Sequence, residues 1–74
     1  MAKEYLVALF PRKRRVLING EYMGSTNTKL ELESGPYEVT LGPPPNFAPE
    51  KYDIDLSNTS SLQPMIVEFT ETGQ

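Results

Sequence analysis

The sequence predicts an all-β fold, a small antiparallel β-sandwich of six or seven short strands. Three observations point there. Seven prolines and five glycines in 74 residues interrupt the chain too often for long helices. No long stretch keeps apolar residues recurring at i, i+3, i+4 and i+7, the spacing of a helix with one buried face. Several short stretches instead alternate apolar and polar residues, which turns one face of a strand inward.

In chain order, Glu4 to Phe10 is rich in β-formers and opens the fold as a strand. Pro11 then starts a turn through Arg12-Lys13-Arg14-Arg15, read as a basic hairpin tip. Arg14 to Asn19 forms the next strand, with Val16 and Ile18 on one face. Asn19-Gly20 supplies the positive φ of a tight hairpin that returns through Tyr22 and Met23. Thr28 to Glu33 turns Leu30 and Leu32 inward and leaves Lys29, Glu31 and Glu33 in water. Ser34-Gly35-Pro36 reverses the chain. Pro36 to Leu41 and Lys51 to Leu56 alternate through Tyr37, Val39, Leu41, Tyr52, Ile54 and Leu56. Gly42 to Pro49 is an extended, proline-rich segment expected to cross from one sheet to the other. A last strand runs from Met65 to Thr70, with Val67 and Phe69 inward.

Seventy-four residues make one domain, 1–74, without repeat or linker. Such a chain buries only about 60% of its unfolded surface, and its stability is about 4–11 kcal/mol. The absence of cysteine removes disulfides and thiolate metal sites. The absence of histidine removes the commonest metal ligand and acid–base group. The expectation is therefore no enzyme, no metal and no cofactor. The apolar stretch from Tyr5 to Phe10 is shorter than a signal peptide requires, and no segment is long enough to span a membrane, so a cytoplasmic location is expected.

The run "RVLINGEYMGSTNTKLELESGPYEVTL", followed by an aromatic and proline loop and a "YDIDL" strand, resembles the PEGA domain family over about residues 14–70. Asn19-Gly20, Gly24, Thr26, Leu30, Leu32, Gly35, Tyr37 and Val39 fall in the family's places. Phe47 occupies the slot of its glycine-tyrosine element. Two positions depart: the family's proline after threonine is Asn27 here, and three prolines precede Phe47. The resemblance implies a small all-β, non-catalytic module of the kind attached to larger bacterial and archaeal proteins.

Two binding surfaces compete. The first is a protein-interaction or structural assembly surface, formed by an exposed sheet edge or by loop side chains at Tyr22, Met23 and Phe47. Phe47 has a second reading as a plug for one end of a thin core. Self-association would also benefit so small a core. The alternative is a weak polyanion (nucleic acid or acidic surface) binder acting through Arg12, Lys13, Arg14 and Arg15. Four phosphate contacts on duplex DNA would set a salt slope of about −3.6. Against this, the net charge is −3, so the rest of the chain carries −7 once these four cations are set aside.

The remaining features have plainer structural readings. Glu31 with Glu33, and Asp53 with Asp55, lie two apart on strands and read as polar outer faces. Ser25, Thr26 and Thr28 have no histidine to activate them and read as hydroxyls bonded to nearby backbone. Pro43-Pro44-Pro45 lacks the PxxP spacing of an SH3 ligand. Asn58-Thr59-Ser60 matches the N-glycosylation pattern and, with no secretion signal expected, is read as inert.

Overall fold

The computed structural model describes residues 3–72, which contain strands and connections and no helix. Strands β1 (Lys3–Leu9), β4 (Leu30–Glu33) and β8 (Met65–Glu68) make a three-stranded sheet with β1 in the centre. Strands β2 (Arg15–Ile18), β3 (Glu21–Ser25), β5 (Gly35–Leu41) and β7 (Tyr52–Leu56) make a four-stranded sheet in the order β3-β2-β5-β7. Two-residue strands β6 (Phe47–Ala48) and β9 (Thr70–Glu71) pair with each other.

The two main sheets bury one shared core. Leu6, Ala8, Leu30, Leu32 and Val67 enter from the first sheet, and Val16, Ile18, Val39, Leu41 and Leu56 from the second. Each set is the inward half of a period-two pattern, as the sequence predicts. One end of the core is closed by aromatic rings. Phe47 stands edge-on to Phe10 and Phe69, with centroids 6.5 and 5.7 Å away, and Tyr52 stands edge-on to Phe69 at 5.1 Å. Offset and edge contacts of this kind add to simple burial.

The sandwich is as expected, but four of its connections differ from the sequence reading. The basic run is not a hairpin tip: β1 pairs with β4 and β8, whereas β2 pairs with β3 and β5, so residues 10–14 carry the chain from one sheet to the other. Ser34 likewise passes the chain between sheets, because β4 and β5 do not pair. The proline segment, by contrast, does not cross. It leaves β5 and returns to its neighbour β7 in the same sheet, with Val39 opposite Tyr52. It is drawn out along the way by the pairing of β6 with β9. Finally, β1 and β8 run parallel, Val7 beside Ile66 and Ala8 beside Val67. A parallel pair needs a long connection, and here everything from β2 to β7 supplies it.

Two buried polar residues hold the crossing points. Thr26 Oγ1 accepts from Arg14 N at 2.9 Å and donates to Arg12 O at 2.8 Å, while Thr26 N donates to Arg14 O at 2.8 Å. One side chain that is 2% exposed thus clamps both sides of the first crossover. At the opposite end, Glu4 Oε1 accepts from Thr59 N at 2.9 Å and Thr59 Oγ1 at 2.6 Å. Thr59 Oγ1 also accepts from Tyr5 N at 2.8 Å, which fixes the β7–β8 connection against β1.

Candidate partner-binding surface

Tyr22 and Met23 lie on β3, the outer strand of the four-stranded sheet, and are 62% and 46% exposed. The Asn19-Gly20 turn that delivers them has φ of 53° and 86°, as a two-residue hairpin turn requires. It is anchored on β5 as well: Asn19 N donates to Glu38 O at 2.8 Å, and Asn19 Oδ1 accepts from Glu38 N at 2.9 Å. Beyond the turn, Leu17 pairs with Tyr22 and Val16 with Gly24, so Met23 is the extra residue of a β-bulge. The bulge twists the edge and makes regular addition of another strand harder. Gly24 lies against Leu30 of β4, and a Cβ at this position would overlap Leu30 Cδ2. The short strand therefore carries a glycine at its next-to-last position because the two sheets approach closely there.

Arg15 lays its guanidinium 5.8 Å from the centre of the Tyr22 ring. Tyrosine, arginine and methionine are the residue types enriched at protein interfaces. Phe47 does not join Tyr22 and Met23: it belongs to the β6–β9 pair and is packed against Phe10 and Phe69. Its core-plug reading describes its position in the fold.

The basic run does not present four equivalent cations. Arg12 Nε contacts Glu71 Oε2 at 2.8 Å. Arg14 donates to Gly42 O at 3.2 Å, Pro44 O at 3.0 Å and Asn46 Oδ1 at 3.0 Å, and its guanidinium stands 5.0 Å over Phe10. It therefore organises the proline segment. Arg15 is on Tyr22, and Lys13 is exposed with no ion pair among the described residues.

Glu31 is paired with Lys3 at 3.7 Å, and Glu38 with Lys51 at 3.1 Å. The Lys51 ammonium is held above the ordinary lysine range, first by its hydrogen bond to Glu38 and then by the charge of Asp53. Glu4 is held below the ordinary carboxylate range because both Thr59 donors favour its charged form. Among the described residues no three carboxylates are grouped as a metal site would need. No helix there is long and apolar enough to cross a membrane.

Asn27 is a structural residue that sequence reasoning missed. With φ of 63° it donates its N–H to Ala8 O at 2.7 Å. Its side-chain amide donates to Phe10 O at 2.8 Å and accepts from Phe10 N at 3.2 Å. The residue thus prolongs the ladder of β1 beyond the reach of β4. Proline could neither donate that N–H nor adopt that φ, which accounts for the departure seen at this position. Exposed Ile66 on β8 and Leu62 in the preceding turn were also missed.

The family model described as PEGA domain matches residues 5–61. The match takes in most of β1, which the turn glycines do not reach, and stops before β8. No curated protein and no solved structure matches the chain.

Proposed function

The chain belongs to the PEGA domain family, and on that basis we propose that it is a non-catalytic protein-interaction module that holds its partner on the β3 edge. One observation carries the reading. The most exposed aromatic side chain, Tyr22, stands beside Met23 on an outer strand, with Arg15 stacked on it. Because the bulge at Met23 interrupts regular strand addition, recognition rests on these side chains, with the free edge of β3 as support. Burying Tyr22 and Met23 in a pocket of a partner would remove from water two of the large apolar side chains that the isolated fold leaves exposed.

The test compares the native chain with a Tyr22→Ser, Met23→Ser double variant. Light scattering gives the oligomeric state, and immobilised protein captures partners from an extract of the source cells. The expected result is a retained protein, or self-association, that weakens at least tenfold in the double variant. A native chain that stays monomeric and retains nothing, or a variant that retains as much, overturns the reading.

A further inference from the structure

The three-stranded sheet has an unusual outer face. On most strands the outward residues are charged or polar, but outward along β1 come Tyr5, Val7 and Leu9. The register of the parallel pair sets Ile66, 51% exposed, directly beside Val7, and sets Glu68 beside Leu9. This apolar strip runs into an open groove of about 470 Å³ at the end of β1, lined by Leu9, Phe10, Pro11, Glu68, Thr70 and Glu71 among others. Apolar surface makes up most of the lining, and two acidic residues, Glu68 and Glu71, border it. Glu71 already holds a guanidinium, that of Arg12, through its Nε at 2.8 Å, and the Arg12 side chain is itself largely exposed. The fold thus displays, within one chain, the contact that this border makes with an arginine.

We propose that this strip and groove bind a segment of another protein in which an arginine is flanked by apolar residues. The apolar side chains lie on Val7, Leu9 and Ile66, and the guanidinium enters between Glu68 and Glu71, displacing Arg12 from Glu71. Charge complementarity selects the cation, and the planar donor fork of arginine suits a carboxylate border better than the point charge of lysine. The apolar strip excludes acidic or wholly polar segments, which would leave Ile66 and Leu9 covered by charge. This surface is separate from the β3 edge, so either can fail without the other.

The test uses ¹⁵N-labelled protein titrated with three capped peptides: Gly-Leu-Arg-Leu-Gly, the same peptide with lysine for arginine, and the same with glutamate. The expected result is saturable shift changes at Leu9, Ile66, Glu68 and Glu71 with the arginine peptide, weaker binding of the lysine peptide and none of the glutamate peptide. Glu68→Gln with Glu71→Gln should weaken arginine-peptide binding at least tenfold, and Ile66→Ser at least threefold. Arg12→Gln should tighten it severalfold by freeing Glu71. Lys13→Gln removes the same charge one residue away and should have no such effect. Equal tightening by both variants means general charge attraction and overturns the proposal. So do shifts centred on Tyr22 and Met23, shifts spread over Glu31, Glu33, Asp53 and Asp55, or no saturation up to about 1 mM.

Discussion

Asn27 offers the sharpest test of how this fold is held together, because the residue that the family pattern places there is the one its geometry forbids. Replacing Asn27 by glycine keeps the φ of 63° accessible and keeps the N–H bond to Ala8 O, but removes both side-chain bonds to Phe10. At about 0.5–1.5 kcal/mol for each bond, the loss is about 1–3 kcal/mol. Asn27→Pro removes the bond to Ala8 O as well and locks φ near −65°, so the segment between β3 and β4 must rearrange. Its effect should exceed that of glycine by at least another hydrogen bond, a large share of a total near 4–11 kcal/mol. Urea denaturation measures both. With a slope of about 1 kcal/mol per molar for so small a protein, Asn27→Gly should lower the midpoint by about 1–3 M with little change in slope. Asn27→Pro should lower it further or abolish the cooperative transition. A proline variant as stable as the native chain would show that Asn27 does not extend the β1 ladder, and the account of this corner would fall.

Thr26→Val keeps the shape of the clamp and removes its hydroxyl, leaving Arg14 N without its partner. The variant should lose about 1–3 kcal/mol and be cut by trypsin within Arg12–Arg15 markedly faster than the native chain, as followed by mass spectrometry. Gly24→Ala pushes a methyl into Leu30 and should destabilise by about 1–3 kcal/mol; adding Leu30→Val should recover part of that loss, a coupling that a double-mutant cycle in urea would detect. Glu4 makes stability depend on pH. Its folded pKa lies below the unfolded one, so its contribution is complete above the ordinary carboxylate pKa and disappears as pH falls through the lower, folded value. Urea midpoints measured from pH 7 to pH 3 should fall less steeply for Glu4→Gln than for the native chain, and parallel curves would exclude the role given to Thr59.

The inward halves of the strands were legible because each carries its own signal: Leu30 and Leu32, or Val39 and Leu41, reveal a buried face whatever strand lies beside them. The Asn19-Gly20 turn was legible for the same reason, since its backbone conformation is a local property. The candidate surface was legible only in part. Tyr22 and Met23 stand exposed where a hairpin return would put them, whereas Phe47 is drawn into the aromatic end of the core by Phe10 and Phe69, residues far away in the chain. The basic run looked like one patch in the sequence and became three separate contacts, because Glu71, the carbonyl groups of the proline segment and the Tyr22 ring each take one arginine.

Composition and alternation alone thus determined that this chain is all β, that a thin aliphatic core lies between two sheets, and that cysteine and histidine chemistry is closed to it. Which strands meet was decided only in three dimensions. The parallel pairing of β1 with β8, the return of the proline segment to its own sheet and the groove beside Glu71 all join residues distant along the chain. The physical reason is that burial of a strand face depends on the side chains of that strand, while the choice of edge partner depends on backbone groups that are alike in every strand. Long-range contacts such as Thr26 with Arg14, Asn27 with Phe10 and Glu4 with Thr59 settle that choice.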